Sequence, residues 1–480
     1  MLFNSPTYII FLPVVVALYW TLPTIYRPTL LVAASYYFYA TWNPPFLLLI
    51  FLLTLANYAI GRVQGNCQPR RRSLLVLSVA VNVLALGIFK YLGWLDQSAS
   101  SAAALLGLHW PVPLVQLALP IGLSFFTFEF LHYQIDLYRG YDPIKDPIRF
   151  ALFPAFFPTQ IAGPIKRYED FDEQVRKGPR FDPPVFLEGI ELIVLGMFKK
   201  VAIADNVGRL ATMVFSDPSH AGMVDAWAGS LAFYCELYFD FSGYTDIARG
   251  SAQLFGYRIP LNFRSPFTAT SFQDFWQRWH MSLTFWLRDY IYYPLGSSRL
   301  LKALRPRQRA MTAIVVTLLV CGIWHGAGWN FVGMGLALGF SLVIDRVLTV
   351  RVWRREMPSW LRIAGGWTQT QMLLLLSMVL FPNSISGTFQ IYAHMVGAGG
   401  VGLHILTPVK LLEILAIFGG TIGVQLALKR WPPRERLQNL QVSAVLRPAY
   451  AFAVGGMALY FAVADAALTF TPAKFIYFQF

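Results

Sequence analysis

The chain has 480 residues, of which 56% are hydrophobic and 13% are charged, whereas an ordinary soluble domain is about 25% charged. The mean hydropathy is +0.49, and apolar runs recur from end to end. These values exclude a soluble globular protein. They predict an all-α, polytopic helical membrane protein with about 10–12 membrane-embedded helices, some of them re-entrant.

The formal net charge is +14, and the Lys and Arg residues gather in short loops between the apolar runs. This distribution is typical of a membrane protein whose basic loops face the cytoplasm and anionic lipids. We therefore expect contact with membrane lipids and no binding of nucleic acid. Cys67, Cys235 and Cys321 have no CxxC spacing, and HExxH, Walker and GxSxG motifs are absent. We accordingly expect no metal site and no bound cofactor.

The first apolar segment, residues 8–20, has no basic region before it and no cleavage site after it. We therefore expect a retained helix and not a signal peptide. Apolar segments follow at residues 29–41 and 45–60, ahead of a basic cluster that ends at Arg70, Arg71 and Arg72. The positive-inside rule places this cluster in the cytoplasm, so the N-terminus is predicted on the outer side.

The next apolar segment, residues 74–92, would cross outward. Residues 93–113 are predicted as an outer loop, and residues 113–133 would return to the cytoplasm. The basic stretches at residues 166–180 and 249–309 agree with this topology.

His325 interrupts the next long apolar region. Residues 312–325 carry no formal charge, and residues 331–348 continue apolar beyond a Gly-rich break, which we expect to be a kink. An ionisable side chain at such a depth is a functional-site hypothesis, because hydrocarbon cannot solvate its nitrogens.

The end of the chain follows the same alternation. Basic clusters at residues 351–355 and 429–436 are expected on the cytoplasmic side, and the apolar segment at residues 448–465 would leave the C-terminus outside. We expect one membrane-embedded domain over residues 1–480.

Several stretches together closely resemble the membrane-bound O-acyltransferase (MBOAT) family. They are residues 119–128, 135–140, 160–165, 238–249, 262–266, 271–296, 324–331 and 475–480. The branch most similar to the chain contains the membrane subunit of alginate O-acetyltransferase and related proteins that acetylate bacterial cell-surface polysaccharides. The core signature region spans residues 119–345.

The resemblance implies that His325 is the family's catalytic histidine and that His280 matches its second signature position. It also implies a central funnel or tunnel through the membrane, with an acyl thioester entering from the cytoplasm and an acceptor from the other face. We further predict that four neighbouring residues bind substrate: Arg278, Trp324, Asp289 and Asn330.

The chemistry of acyl transfer suits a buried histidine. An alcohol is a poor nucleophile until its proton is removed, and a neutral imidazole can remove it at cellular pH. General-base help of this kind contributes about 10²–10⁴-fold in rate. We predict that His325 is the general base and that His280 orients it, binds the donor or stabilises the thioester oxyanion.

The predicted reaction passes an acetyl group from a cytoplasmic thioester, with acetyl-CoA as the expected co-substrate, towards hydroxyls of an exported polysaccharide such as alginate. Transfer would be direct or through a periplasmic or membrane-anchored acetyl-relay protein. One alternative is a transporter with His325 as a proton relay. Another is an acyltransferase that acts on a lipid, a protein or peptidoglycan.

Two sets of polar residues are expected to be structural. Glu129, His132 and Asp136 share one face of a helix and imitate a metal site, but we expect a structural polar face. Three aspartates, Asp240, Asp246 and Asp274, are expected to hold helices together through nearby arginines.

Overall fold

The structure is a computed structural model that describes residues 1, 3–42, 44–66, 70–108, 117–351, 357–430 and 475. Within these residues every regular element is helical and no strand occurs, so the predicted all-α fold is confirmed. The α-helices of the described ranges are α1 (Pro6–Thr21), α2 (Arg27–Ala40), α3 (Pro44–Asn66), α4 (Arg71–Leu86), α5 (Leu92–Leu105), α6 (Leu123–Arg139), α7 (Pro147–Ala155), α8 (Tyr168–Lys177), α9 (Pro183–Met197), α10 (Asp205–Phe215), α11 (Met223–Leu254), α12 (Phe272–Trp276), α13 (Met281–Leu287), α14 (Tyr293–Ser297), α15 (Pro306–His325), α16 (Trp329–Arg351), α17 (Ser359–Met378), α18 (Ile385–Met395) and α19 (Pro408–Arg430).

Three π-helical turns join pairs of these helices. Gly87–Tyr91 connects α4 to α5, Phe198–Ala204 connects α9 to α10, and Arg288–Tyr292 connects α13 to α14. Turns of this kind are rare and occur frequently near functional sites. The third one lies eight residues beyond His280.

Five helices in the described part of the chain are long and apolar enough to cross a membrane: Pro44–Gly65, Arg71–Leu105, Pro306–His325, Trp329–Leu348 and Pro408–Arg430. They expose large apolar side chains that hydrocarbon would cover, since a soluble surface rarely carries so many. A multi-pass membrane protein is therefore confirmed. The total of 10–12 embedded helices and the sides of the termini stay predictions, and residues 352–355, 431–436 and 448–465 lie outside the described residues.

The predicted outer loop at residues 93–113 is wrong in its first half, because Arg71–Leu105 is one continuous helix. The serines in this stretch are typical of a loop, but Ala102, Ala103 and Ala104 are strong helix formers and extend the helix. The span predicted at residues 113–133 is also misplaced at its start, because α6 begins only at Leu123. Gly122, with φ of 79°, lies in the left-handed region before it.

The chain divides into two compact units. The first contains Met1–Ile193 and Thr245–Pro260, and the second contains Val194–Tyr244 and Leu261–Phe480. In the first unit, the buried Lys166 Nζ lies 2.8 Å from Glu129 Oε1 and donates to Thr159 Oγ1 at 2.9 Å. Asp136 pairs with Arg139 at 3.1 Å. The polar face of α6 thus has structural partners, as predicted.

In the second unit, glycines bring α15 and α16 into close contact. A Cβ atom added to Gly322 would lie 2.6 Å from Gly335 and would also overlap the carbonyl oxygen of Phe331. Small residues at such positions let two membrane helices approach closely. This contact fixes the end of α15, where His325 lies.

Candidate active site

His325 is the last residue of α15. Gly326 then adopts an extended conformation and ends the helix, and α16 begins at Trp329. A side chain on Gly326 would overlap the ring of Phe331. The predicted kink is therefore a tight interhelical turn, in which the missing side chain of Gly326 leaves room for the ring of Phe331.

His280 lies between α12 and α13 in the left-handed region, with φ of 41°. This conformation is uncommon for a residue other than glycine, and it clusters at functional sites. Asn262 stabilises the turn, because its carbonyl oxygen accepts the N–H of Met281 at 2.9 Å and its Oδ1 accepts the N–H of Ser282 at 3.1 Å. The structure thus adds Asn262 as a residue that positions His280.

Trp324 connects the two predicted histidines. The centroid of its indole ring lies 6.4 Å from that of His280 and 4.8 Å from that of His325. His280 is fully buried, Trp324 is buried, and His325 is partly exposed. Residues from two separate motifs therefore meet in one cluster, with the more accessible imidazole at the end of α15.

Aromatic side chains enclose the cluster. The ring of Phe241 stands perpendicular to His280 with centroids 4.5 Å apart, and the ring of Phe381 lies 5.5 Å from His325. Phe475 lies 5.8 Å from Phe241 and stacks on Tyr244. Phe475 belongs to a stretch that carries the family resemblance, whereas no sequence signal distinguishes Phe381, which only the fold brings to His325.

Burial lowers the pKa of His280 well below its ordinary value, and the charge of a protonated His325 lowers it further. His280 is consequently neutral at cellular pH. In that form each of its two nitrogens has one role, donor or acceptor, so it can orient a partner without adding a charge.

Three of the predicted substrate-binding residues make polar contacts of their own. The Arg278 Nε donates to Asp274 at 2.6 Å, Asp289 accepts from Arg288 at 2.8 Å, and the Asn330 amide donates to the carbonyl oxygen of Leu380 at 3.2 Å. Trp324, the fourth, is in ring contact with both histidines. Substrate binding by these four residues stays a prediction.

The arginine pairs of Asp246 and Asp274 are local, within α11 and between α12 and the turn after it, so these pairs do not join two helices as predicted, and Asp240 departs from the prediction as well. Asp274 pairs with Arg278 and Asp246 with Arg249 at 3.8 Å. Asp240 instead binds Lys200 at 2.7 Å, and the same ammonium binds Asp205 at 2.7 Å. The partner of Asp240 is a lysine because the π-helical turn before α10 brings Lys200 against α11.

A cavity of about 330 Å³ lies in the second unit, lined by residues that precede and follow His280 in the chain and by residues of α15 and α16. Trp276, Thr284 and Leu318 line its apolar part, and Arg288 and Arg346 contribute cationic groups. Leu318 is seven residues before His325 on α15, a distance of about 10 Å along the helix axis. No sequence motif singles out Arg346, which follows Asp345 near the end of α16. In the described residues, no group of His, Cys, Asp or Glu side chains could hold a metal ion.

Comparisons with known proteins agree with the family that the motifs indicate. Residues 66–386 match the model of the MBOAT, membrane-bound O-acyltransferase family. A protein of Azotobacter vinelandii named "Probable alginate O-acetylase AlgI" is 37% identical over 423 residues, which cover 86% of this chain and 82% of the relative. A protein of the same name from Pseudomonas aeruginosa is 36% identical and covers 92% of this chain and 86% of its own length. The "Peptidoglycan O-acetyltransferase" of Helicobacter pylori is 32% identical over 441 residues, which cover 84% of this chain and 81% of the relative.

Proposed function

Because the chain belongs to the membrane-bound O-acyltransferase family, we propose that its acyl transfer takes place at the cluster of His280, Trp324 and His325. The chain is an O-acyltransferase. The observation that carries the proposed site is the meeting of two distant histidines across one indole ring, with one imidazole buried and the other accessible.

The proposed donor is an acetyl thioester in the cytoplasm, with acetyl-CoA as co-substrate, and the proposed acceptor is a hydroxyl of an exported polysaccharide such as alginate. The names of the relatives from Azotobacter vinelandii and Pseudomonas aeruginosa support this acceptor. We place the protein in the inner membrane of a bacterium, where a periplasmic or membrane-anchored relay protein would carry the acetyl group onwards. A direct transfer to the polysaccharide is the simpler form of the same reaction.

In the proposed reaction, a ring nitrogen of His325 takes the proton of the acceptor hydroxyl. The hydroxyl oxygen attacks the thioester carbonyl carbon and forms the new ester bond, and the carbon–sulfur bond breaks. His325 returns the proton to the departing thiolate, so the histidine ends as it began. His280, which is neutral and buried, would orient His325 or donate to the carbonyl oxygen as negative charge develops there.

The cavity lined by residues of α12, α13, α15 and α16 supports entry of the donor arm. Arg288 and Arg346 would bind phosphate groups, and Trp276 and Leu318 would contact the thioester arm. A volume of about 330 Å³ is near the lower limit for ligand pockets. It accommodates an extended arm but not a whole nucleotide, which would stay at the mouth.

Inside-out membrane vesicles test this donor route, since they expose the cytoplasmic face. Supplied with acetyl-CoA labelled in the acetyl group, they should form labelled ester on the acceptor, whereas a transporter would leave the label on its original molecule. Arg288→Gln and Arg346→Gln should each raise the KM for acetyl-CoA by about tenfold with little change in kcat. Arg299→Gln, an exposed arginine outside the cavity, is the matched control. Unchanged KM values in both cavity variants would contradict the route.

A second acceptor deserves the same assay, because the Helicobacter pylori relative is named a peptidoglycan O-acetyltransferase. Extracts that contain either alginate or peptidoglycan, enclosed in the lumen of the inside-out vesicles where the outer face of the membrane lies, distinguish the two. Label in ester linkage on peptidoglycan alone would replace alginate as the acceptor and would leave the histidine chemistry unaltered.

A further inference from the structure

A buried aspartate lies near the end of α16. Asp345 is three residues before the end of the candidate span Trp329–Leu348 and is only 3% exposed. An ionisable side chain in such a segment is costly, because hydrocarbon solvates a charge poorly, and it is a functional-site hypothesis by default. The chemistry proposed for His280 and His325 does not use it, so its own contacts indicate its role.

The carboxylate of Asp345 joins three helices. Its Oδ2 accepts the N–H of Gln273 at 3.4 Å, at the start of α12, and its Oδ1 accepts the side-chain amide of Gln369 at 2.9 Å, from α17. The first N–H groups of a helix have no acceptor within it, so the one on Gln273 depends on Asp345. Both donors are neutral groups, and the aspartate therefore holds the helices together by hydrogen bonds.

The turn before α12 is held separately by α17. The indole N–H of Trp367 donates to the carbonyl oxygen of Phe267 at 2.8 Å. A Cβ atom added to Gly366 would overlap the carbonyl oxygen of Thr270, so these two backbones are in close contact. α17 thus fixes one side of this region, and the hydrogen bond of Asp345 attaches α12 to α16.

The two helices joined by this hydrogen bond both line the cavity of about 330 Å³. Gln273 and Trp276 of α12 contribute to its lining, and so do Leu342 and Arg346 of α16. Leu342 is three residues before Asp345, and Arg346 follows it directly. The same turn of α16 therefore lines the cavity and binds a second helix that lines it.

We propose that Asp345 is a positioning residue for the acyl donor. By binding the start of α12 to α16, it sets the distance between Trp276 and Arg346 and with it the shape of the cavity that receives the thioester arm. The effect falls on donor binding more than on the transfer step, because Asn262 holds the turn of His280 separately. Since the cavity receives the donor only in the proposed function, the role of Asp345 rests on that function.

The test compares Asp345→Leu with Asp345→Asn by labelled-acetyl transfer in inside-out vesicles, normalised to inserted protein. Asp345→Leu, which cannot accept a hydrogen bond, should raise the KM for acetyl-CoA by about tenfold and keep kcat within about threefold of the parent. Asp345→Asn should recover most of the donor affinity. Its carbonyl oxygen can still accept the N–H of Gln273, and its amide can donate to Gln369 once that side chain turns over.

Asp225→Leu is the matched control. Asp225 is also fully buried and also accepts backbone N–H groups, those of His404 at 2.6 Å and Leu406 at 2.9 Å, but it does not line the cavity. This variant should lower the unfolding temperature as Asp345→Leu does and leave the KM for acetyl-CoA unchanged. An equal rise in KM in both variants would show that Asp345 has only a structural role.

Two further outcomes separate the role of Asp345 from the donor route itself. A KM for Asp345→Leu within about twofold of the parent, while Arg346→Gln raises it, would overturn the role of Asp345 and leave the donor route intact. Unchanged KM values in Asp345→Leu, Arg288→Gln and Arg346→Gln would overturn both. If Asp345→Leu fails to insert, Gln369→Leu decides, because loss of the α17 donor should raise the KM by about threefold and an unchanged KM would overturn the proposal.

Discussion

The indole ring of Trp324 lies 6.4 Å from the imidazole ring of His280, although the two residues belong to different motifs. The indole also contacts His325, its neighbour in the chain, at 4.8 Å. A single buried side chain therefore sets the spacing of both candidate catalytic groups. Changes at Trp324 should affect activity as well as stability.

Trp324→Ala should lower the free energy of unfolding by about 3–5 kcal/mol, because a large buried ring leaves a cavity. Trp324→Phe should lower the free energy of unfolding by less than Trp324→Ala does. Because its ring still separates the two histidines, it should also retain more of the transfer rate. Thermal unfolding in detergent and labelled-acetyl transfer, measured on the same preparations, check both expectations. Equal activity in the two variants would show that the ring does not set the spacing.

Asn262→Ala should lower kcat more than it changes the KM for the donor. The substitution leaves the buried N–H of Ser282 without its side-chain acceptor, at a cost of about 1–3 kcal/mol, and it loosens the turn that carries His280. The control is Asn206→Ala, since the Asn206 amide donates to the carbonyl oxygens of Val201 and Ala202 in the π-helical turn just before α10. If both variants keep full kcat, Asn262 has no positioning role.

His280→Asn should fold better and retain more activity than His280→Val. Asparagine enters the left-handed region far more readily than a β-branched residue, and φ at this position is 41°. An asparagine amide can also still make hydrogen bonds. The comparison uses transfer rate per folded molecule, and a His280→Val variant as active as His280→Asn would refute it.

Lower pH should destabilise the protein through His280. Its pKa is lowered in the folded state, so the unfolded state binds the proton more readily and the free energy of unfolding falls as pH decreases below about 6.5. The slope for one such group approaches about 1.4 kcal/mol per pH unit. The free energy of unfolding, measured between about pH 7 and pH 5, should no longer show this contribution to its pH dependence in His280→Asn. His220→Ala, at an exposed histidine, should keep it.

Gly322→Ala should destabilise the contact between α15 and α16 by about 1–3 kcal/mol, because the added methyl group would lie 2.6 Å from Gly335. Gly419→Ala offers a matched control in α19, where a Cβ atom meets nothing within 4 Å. That variant should be neutral or stabilised, since alanine favours a helix more than glycine does. Similar unfolding temperatures for the two variants would contradict the close approach.

The sequence contained enough information to predict the two histidines and the family, because both signals are local motifs in an unusual setting. His325 interrupts an apolar run, and His280 stands in a tract where aromatic and charged residues alternate. Hydropathy also predicts three of the five candidate spans closely, Pro44–Gly65, Pro306–His325 and Trp329–Leu348, since burial in lipid acts on whole segments. It ends Arg71–Leu105 too early, and Pro408–Arg430 was not predicted.

The remaining parts of the site depend on tertiary contacts and could not be read from local patterns. Phe381 reaches the cluster only through the fold, and the hydrogen bond from Ser282 to Asn262 is likewise tertiary, although Asn262 belongs to a stretch that carries the family resemblance. Ala102 and its neighbours extend α5 through a serine-rich stretch that resembles a loop, because helix propensity outweighs the polar composition there. The lysine partner of Asp240 likewise depends on a π-helical turn that has no sequence signature.

The central claim is that His325 is the general base of the acyl transfer. The most direct measurement is the rate of labelled-acetyl transfer by His325→Ala in native membranes, normalised to the amount of inserted protein and compared with the parent chain and His220→Ala. We expect a loss of about 10²–10⁴-fold for His325→Ala and a parental rate for His220→Ala. A His325→Ala rate within a few-fold of the parent, at equal insertion, would contradict it.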